Sequence, residues 1–262
     1  MSDIHFGHAM CDEQKFKNDL EEAKRLNADI FIVGDFFDAI FSGDPRYKSS
    51  VPAGWLQGTD KPLNKVVDEA EKILKPYASK IKVISLGNHE HTIIKYKTYD
   101  PISALIHNLN RDLPKQNQII HGSYIGFYQY VTKTCEKGMV HTFDILMYHG
   151  KGGAAEITRG VMDFQRTASK FNYDLFIAGH NHFRNIDSSA KIGISGKGKP
   201  KTWLMKNVRC GTYLNSYSLS EPSIVPFSEM SCHTPNETGC AVVRWRFMGA
   251  NSNKRLELKA EI

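Results

Sequence analysis

The chain has 262 residues, 41% of them hydrophobic, which supplies a sizeable core and excludes a disordered polymer. No apolar run reaches about 18 residues, so no membrane-spanning helix and no membrane partner is expected; the five cysteines (Cys11, Cys135, Cys210, Cys232, Cys240) include no Cys-x-x-Cys pair and read as free thiols. A net charge of +6 favours anionic partners such as phosphate esters or nucleic acid.

The chain opens on Met1-Ser2-Asp3-Ile4-His5, which has no secretory leader character, so a cytoplasmic location is expected. Asp3 and His5 stand two apart, on one face of an extended segment, and Gly7 permits a turn behind them. Asp12 and Glu13 suit a helix start, followed by Phe16, Leu20 and Ala23 at helical spacing. Ile30-Phe31-Ile32-Val33 reads as a strand buried on both faces and ends at Gly34-Asp35, with Asp38 one helical turn further on. Residues 42–62 break every periodicity with Gly and Pro and read as an irregular insertion that covers or contacts something, carrying Arg46, Lys48 and Trp55. A helix with Val66, Val67, Ala70, Ile73, Leu74 and Tyr77 on one face follows. Then the strand at 81–86 stops at Gly87-Asn88-His89-Glu90. Asp100-Pro101 caps a further helix, and 119–120 and 124–131 read as strands about a Gly122 turn. The strand at 143–148 ends at His149-Gly150. After the Lys151-Gly152-Gly153 turn, Ile157, Val161, Phe164, Ala168 and Phe171 mark a helix, and the strand at 175–178 ends at Gly179-His180-Asn181-His182. Residues 191–201, rich in Gly and Lys, read as a flexible basic loop. Strands are expected at 206–210, 241–247 and 255–259, with a long loop at 211–240. No repeat or linker divides the chain, so a single domain over 1–262 is expected.

Strands alternating with helices predict a largely parallel α/β arrangement, whose functional residues gather beyond the carboxyl ends of the strands. Asp35, Asn88 with His89, His149, and His180 with His182 all stand at such ends, and Asp3 and His5 fit the same edge. Carboxylate, amide oxygen and imidazole suit a borderline divalent metal, while the lack of cysteine argues against a closed structural zinc site. Seven donors exceed what one ion takes from protein. Two ions sharing a bridging carboxylate, about 3.5–4 Å apart, would use them in phosphoryl transfer.

The ordered set Asp3-x-His5, Gly34-Asp35, Gly87-Asn88-His89-Glu90, His149-Gly150 and Gly179-His180-Asn181-His182 resembles the calcineurin-like metallophosphoesterase superfamily across positions 3–182. The resemblance implies an α/β fold, a four-layer α/β/β/α sandwich with the metal site at the strand carboxyl ends. It implies that Asp3, His5, Asp35 and His182 hold a first metal, and that Asp35, Asn88, His149 and His180 hold a second, with Asp35 bridging. Manganese is the first expectation, with iron, zinc or nickel as alternatives. His89 is implied to be no ligand but the group that protonates the leaving oxygen or stabilises charge beside it. Relatives carry an apolar strand before the Asp-x-His motif; with only Met1 and Ser2 ahead of Asp3, either the sequence starts late or that strand is absent and the first metal is held loosely. Small phosphoesterases of this kind are typical of bacterial and phage genomes.

The expected activity is hydrolysis of a phosphomonoester or phosphodiester by a water that the two metals activate, without a covalent enzyme intermediate. One branch is a nuclease, since Gly34-Asp35-Phe36-Phe37-Asp38 is similar to the motif of SbcD-type exonucleases, although this chain lacks their long DNA-gripping domain. A non-catalytic scaffold of the same fold predicts missing ligands, and here every motif position is filled. Lys151 before a helix start could meet a phosphate, Arg46 and Trp55 could touch substrate from the insertion, and Lys197, Lys199 and Lys201 could form a phosphate-contacting lid or a solvated hairpin tip. His8 and His91 are candidates for the pocket lining.

Overall fold

A computed structural model describes residues 1–38, 51–133, 138, 140–152, 157–196, 198–218, 225–248 and 255–261. Helix α1 (Glu13–Arg25) is capped by Asp12, whose carboxylate accepts from the Lys15 amide, and carries Lys24 and Arg25 in its last turn, where the helix dipole favours cations. It leads to β1 (Ile30–Val33). Helix α2 (Pro62–Leu74) and a 3₁₀ segment, Lys75–Lys80, precede β2 (Ile81–Ser85). Helix α3 (Asn88–Lys97) starts immediately beyond β2, and α4 (Pro101–Asn110) begins at an Asp100 cap. Strand β3 (Ile120–Gly122) runs parallel to β2, which runs parallel to β1, making a three-stranded sheet.

The second sheet has five strands. Its members are β4 (Ile125–Lys133), β5 (Val140–Tyr148), β6 (Leu175–Ala178), β7 (Arg184–Ile194) and β8 (Pro200–Cys210), in the spatial order β4-β5-β6-β8-β7. Strands β5, β6 and β8 are mutually parallel; β4 and β7 run antiparallel on the two edges. Helix α5 (Val161–Lys170) lies between β5 and β6 in sequence. Strands β9 (Val242–Met248) and β10 (Arg255–Glu261) form a separate antiparallel pair.

Strand alternation sorts the side chains into layers. Ile30 and Ile32 of β1, with Ile81 and Ile84 of β2, pack among Phe16, Leu20, Val66, Val67, Ala70, Leu74, Ile102 and Leu105 of α1, α2 and α4. Val33 and Val83 face the other way, onto Ile145, Met147, Leu175, Ile177 and Val208 of the five-stranded sheet. Leu146, Phe176, Ala178 and Met205 on that sheet's outer face receive Phe164 and Ala168 of α5. The order is helix, sheet, sheet, helix, as the resemblance implies. Each fully buried Ile, Leu or Phe contributes about 1.5–3 kcal/mol. Among the described residues no helix is long and apolar enough to cross a membrane.

Several elements differ from the sequence reading. Residues 191–194 and 200–201 are not loop: β7 and β8 pair continuously from Arg184↔Cys210 to Ile194↔Pro200. Their Lys and Gly residues alternate with Ile and Trp along a ribbon open to water on both faces, a composition that reads as loop. Helix α5 starts at Val161, after Gly160 in the left-handed conformation (φ 80°), and Ile157 lies outside it, 99% exposed. Of the insertion, Arg46 and Lys48 fall outside the described residues. Trp55 turns inward rather than to a substrate: its Nε1 donates to Glu13 Oε1 (3.0 Å) and its ring lies 5.4 Å from that of Phe6.

Candidate metal centre

Each candidate donor follows the last residue of a strand or of a strand-like segment. Residues 1–6 run beside β1, with Val33 N donating to Met1 O, Asp3 N to Gly34 O and His5 N to Asp35 O. Asp3 and His5 are consequently buried and anchored at the backbone rather than loosely placed. Asp35 lies two residues beyond β1, Asn88 three beyond β2, His149 directly after β5, and His180 and His182 just after β6. Asp3, His5, Asp35, His180 and His182 all have positive φ, between 47° and 73°. A non-glycine residue in that region costs on the order of 1–3 kcal/mol and persists where the surroundings hold it. Five such residues meeting at one edge mark a place where geometry has been kept at the expense of stability.

The two strand ends nearest the centre approach within what only glycine permits. A Cβ on Gly87 would meet Asp35 Oδ1 at 2.1 Å and the Asp35 amide nitrogen at 2.3 Å. Without it, the first turn of α3 closes over the carboxylate, and the His89 amide donates to Asp35 Oδ1 (2.9 Å). Glu90, in the third position of α3, reaches back to accept from the amides of Gly87 (2.8 Å), Asp35 (3.1 Å) and Phe37 (2.8 Å), tying the β2 end to the β1 end. Burial and the Asp35 carboxylate push Glu90 up to about 7, against the pull of the Phe37 and Gly87 amides.

The fold brings together all seven donors read from the sequence. Asp3, His5 and His182 offer atoms within 4.8 Å of one another; so do Asp35, His149 and His180, and so do His5, Asp35 and His89. Asn88 Oδ1 joins the second group, 3.0 Å from His149 Nε2 and 2.8 Å from His180 Nδ1. Lys151 stands on the turn flanking His180, whose Nε2 lies 3.0 Å from Gly152 O; its side chain is exposed, and α5 starts ten residues later. His91 is exposed; His8 is half-buried, and burial lowers it to about 4.

The protonation pattern fits a cation. His149 Nδ1 lies 2.9 Å from Val33 O and donates to it, so in the neutral ring Nε2 carries a lone pair. That lone pair faces two oxygens, Asp35 Oδ2 at 3.1 Å and Asn88 Oδ1 at 3.0 Å, with no donor between the three. Either a proton or a metal ion must occupy the gap. Burial works against an imidazolium here, yet the Asp35 carboxylate outweighs it and draws His149 up to about 10. In the other group, Asp38 Oδ1 takes His5 Nδ1 at 3.3 Å, which leaves His5 Nε2 as a lone pair 3.2 Å from His182 Nε2. Burial lowers both His5 and His180, keeping them neutral. Asp3 Oδ1 is buried without a hydrogen-bond donor among the described residues, with His182 Nε2 3.5 Å away.

Four further residues support the centre. Asp38 accepts from His5 and also lies 3.0 Å from His89 Nδ1; burial opposes its ionisation, but His5 and His89 hold it far below the usual carboxylate range. The Ser2 hydroxyl is shared between Val33 O (2.8 Å) and Asp3 Oδ2. Arg209 of β8 is buried behind the centre, donates to Gly179 O (2.7 Å) and lies 5.3 Å over the Phe164 ring. Glu90 is the fourth. The sequence shows Asp38 and Glu90 beside motif residues, but nothing local marks Arg209 or Ser2.

A family model described as calcineurin-like phosphoesterase matches residues 1–184. No curated protein matches the chain.

Proposed function

From the premise that the chain belongs to the calcineurin-like phosphoesterase family, we propose that it hydrolyses a phosphomonoester or phosphodiester with two divalent cations, manganese foremost. The observation that carries the two-cation reading is the convergence of the inward-facing atoms His149 Nε2, Asp35 Oδ2 and Asn88 Oδ1, beside the separate set on Asp3, His5 and His182.

Asp3, His5, Asp35 and His182 would hold one cation, and Asp35, Asn88, His149 and His180 the other, with Asp35 common to both. When bound, the cations supply the charge that acidifies a water and neutralises developing charge on the phosphoryl oxygens. The chain's own work is orientation and proton transfer. Val33 O and Asp38 fix the tautomers of His149 and His5, so that each presents Nε2 to the centre. Asp38 Oδ1 also lies 3.0 Å from His89 Nδ1, and His89 is the group that would hand a proton to the leaving oxygen. Every donor position is filled, which favours an enzyme over a non-catalytic scaffold.

The test is to measure bound metal and to compare hydrolysis of a chromogenic monoester, a chromogenic diester and single-stranded DNA under added manganese. Metal-dependent cleavage of at least one is expected. Preferential cleavage of DNA places the protein on the nuclease branch. A metal-replete preparation inert towards all three overturns the proposal.

A further inference from the structure

The ribbon formed by the far ends of β7 and β8 has no role in the centre. Ile194 lies ten residues along β7 from Arg184, about 33 Å at 3.3 Å per residue, so Lys199 and Lys201 stand far from the donors and form no lid over them. Lys197 falls outside the described residues. Strand β6 begins at Leu175, opposite Lys206, so residues 200–205 of β8 extend past it. The register places Ala190, Ile192 and Ile194 on one face with Leu204, Thr202 and Pro200 across from them. Ile192 is 81% exposed, Ile194 77% and Leu204 63%. The opposite face carries Trp203, partly exposed, with Lys201 Nζ 5.2 Å over its ring. No acidic residue occurs between Asp187 and Glu221, a stretch that includes Lys191, Lys197, Lys199, Lys201 and Lys206.

We propose that this ribbon end seats on an anionic lipid surface. The tip enters one leaflet end-on: Ile192 and Ile194 on one face pass beneath the headgroups, Lys199 at the turn and Lys201 on the other face extend back to the lipid phosphates, and Trp203, further from the tip, sits at the boundary. A nucleic acid would satisfy the lysines but leave Ile192, Ile194 and Leu204 in water. A second copy would cover the aliphatic face but oppose lysine to lysine. Only a surface that is both apolar and negatively charged complements the whole ribbon. The expectation of no membrane partner rested on spanning segments alone, and a ribbon tip that enters one leaflet needs none. The inference goes beyond the hydrolytic reading and does not depend on it.

The full chain is sedimented with vesicles of phosphatidylglycerol mixed with phosphatidylcholine, and with vesicles of phosphatidylcholine alone. Binding to the first and not the second is expected, weakening as salt is added. Each lysine at an anionic surface contributes about fivefold in affinity, so K199Q/K201Q should lose on the order of 25-fold. I192T/I194T, which keeps strand propensity, should lose at least about tenfold. Far-ultraviolet circular dichroism of both variants should match the parent. The inference is overturned by failure to bind anionic vesicles, or by binding that neither pair of substitutions weakens. It is equally overturned if the ribbon proves to serve another partner: duplex DNA binding lost in K199Q/K201Q alone, or self-association lost in I192T/I194T, with vesicles ignored.

Discussion

The five-stranded sheet is built on opposite terms at its two ends. At the carboxyl ends of β5, β6 and β8 stand His149, His180, His182 and Arg209, polar groups that are wholly or largely buried and in two cases held at positive φ. At the other end of β7 and β8, the backbone is regular and Ile192, Ile194 and Leu204 lie in water. Each end reverses the usual placement of polar and apolar side chains, the kind of surface that marks a place for something outside the chain. Buried lone pairs ask for cations, and exposed aliphatics ask for an apolar partner.

The largest effect should come from Asp35→Asn. It removes the carboxylate that the two proposed cations would share, and both metal content and ester hydrolysis should fall to background. His89→Ala should separate binding from chemistry, with metal content unchanged by elemental analysis and the rate down about 10²–10⁴-fold. Loss of metal in that variant would make His89 a ligand. Asp38→Asn should act on both, because it orients His5 as well as His89, costing about 10–100-fold in metal affinity together with rate. Gly87→Ala should destabilise the protein by at least about 1–3 kcal/mol in denaturant unfolding, since the new methyl group strikes the Asp35 carboxylate.

These residues differ in how visible they are in the sequence. Asp35, Asn88, His149 and His180 show because each closes an apolar run with a glycine beside it, so strand end and ligand coincide, whereas Asp3 and His5 follow no such run and show only by their spacing. Helix α3 does not show, because its first turn is the Asn88-His89-Glu90 cluster itself and its apolar stripe is weak. The β7–β8 ribbon is hidden by its Gly and Lys content. The work of Asp38, Glu90 and Arg209 is set by partners 30 or more residues away, such as His5, Asp35 and Gly179, and appears only when the strand ends meet.

Acidity offers a finer probe of the same end. Without a cation His149 holds its proton up to about 10, so at neutral pH metal binding must expel it. Affinity should rise about tenfold per pH unit through this range, and titration in buffers of different ionisation enthalpy should register about one proton released at that position. The smallest effect belongs to the far end. Ile192→Thr alone should leave the ester-hydrolysis rate unchanged and shift stability by no more than about 0.5 kcal/mol, because the side chain it alters is already in solvent.

One carbonyl connects the two halves of the donor set. Val33 O accepts from His149 Nδ1 on one side and from the Ser2 hydroxyl, next to Asp3, on the other. A tilt of that single peptide plane would therefore swing a proposed ligand of each ion at once. If filling one position stiffens the plane for its neighbour, stepwise titration with manganese should show the pair of ions entering in concert rather than as independent guests.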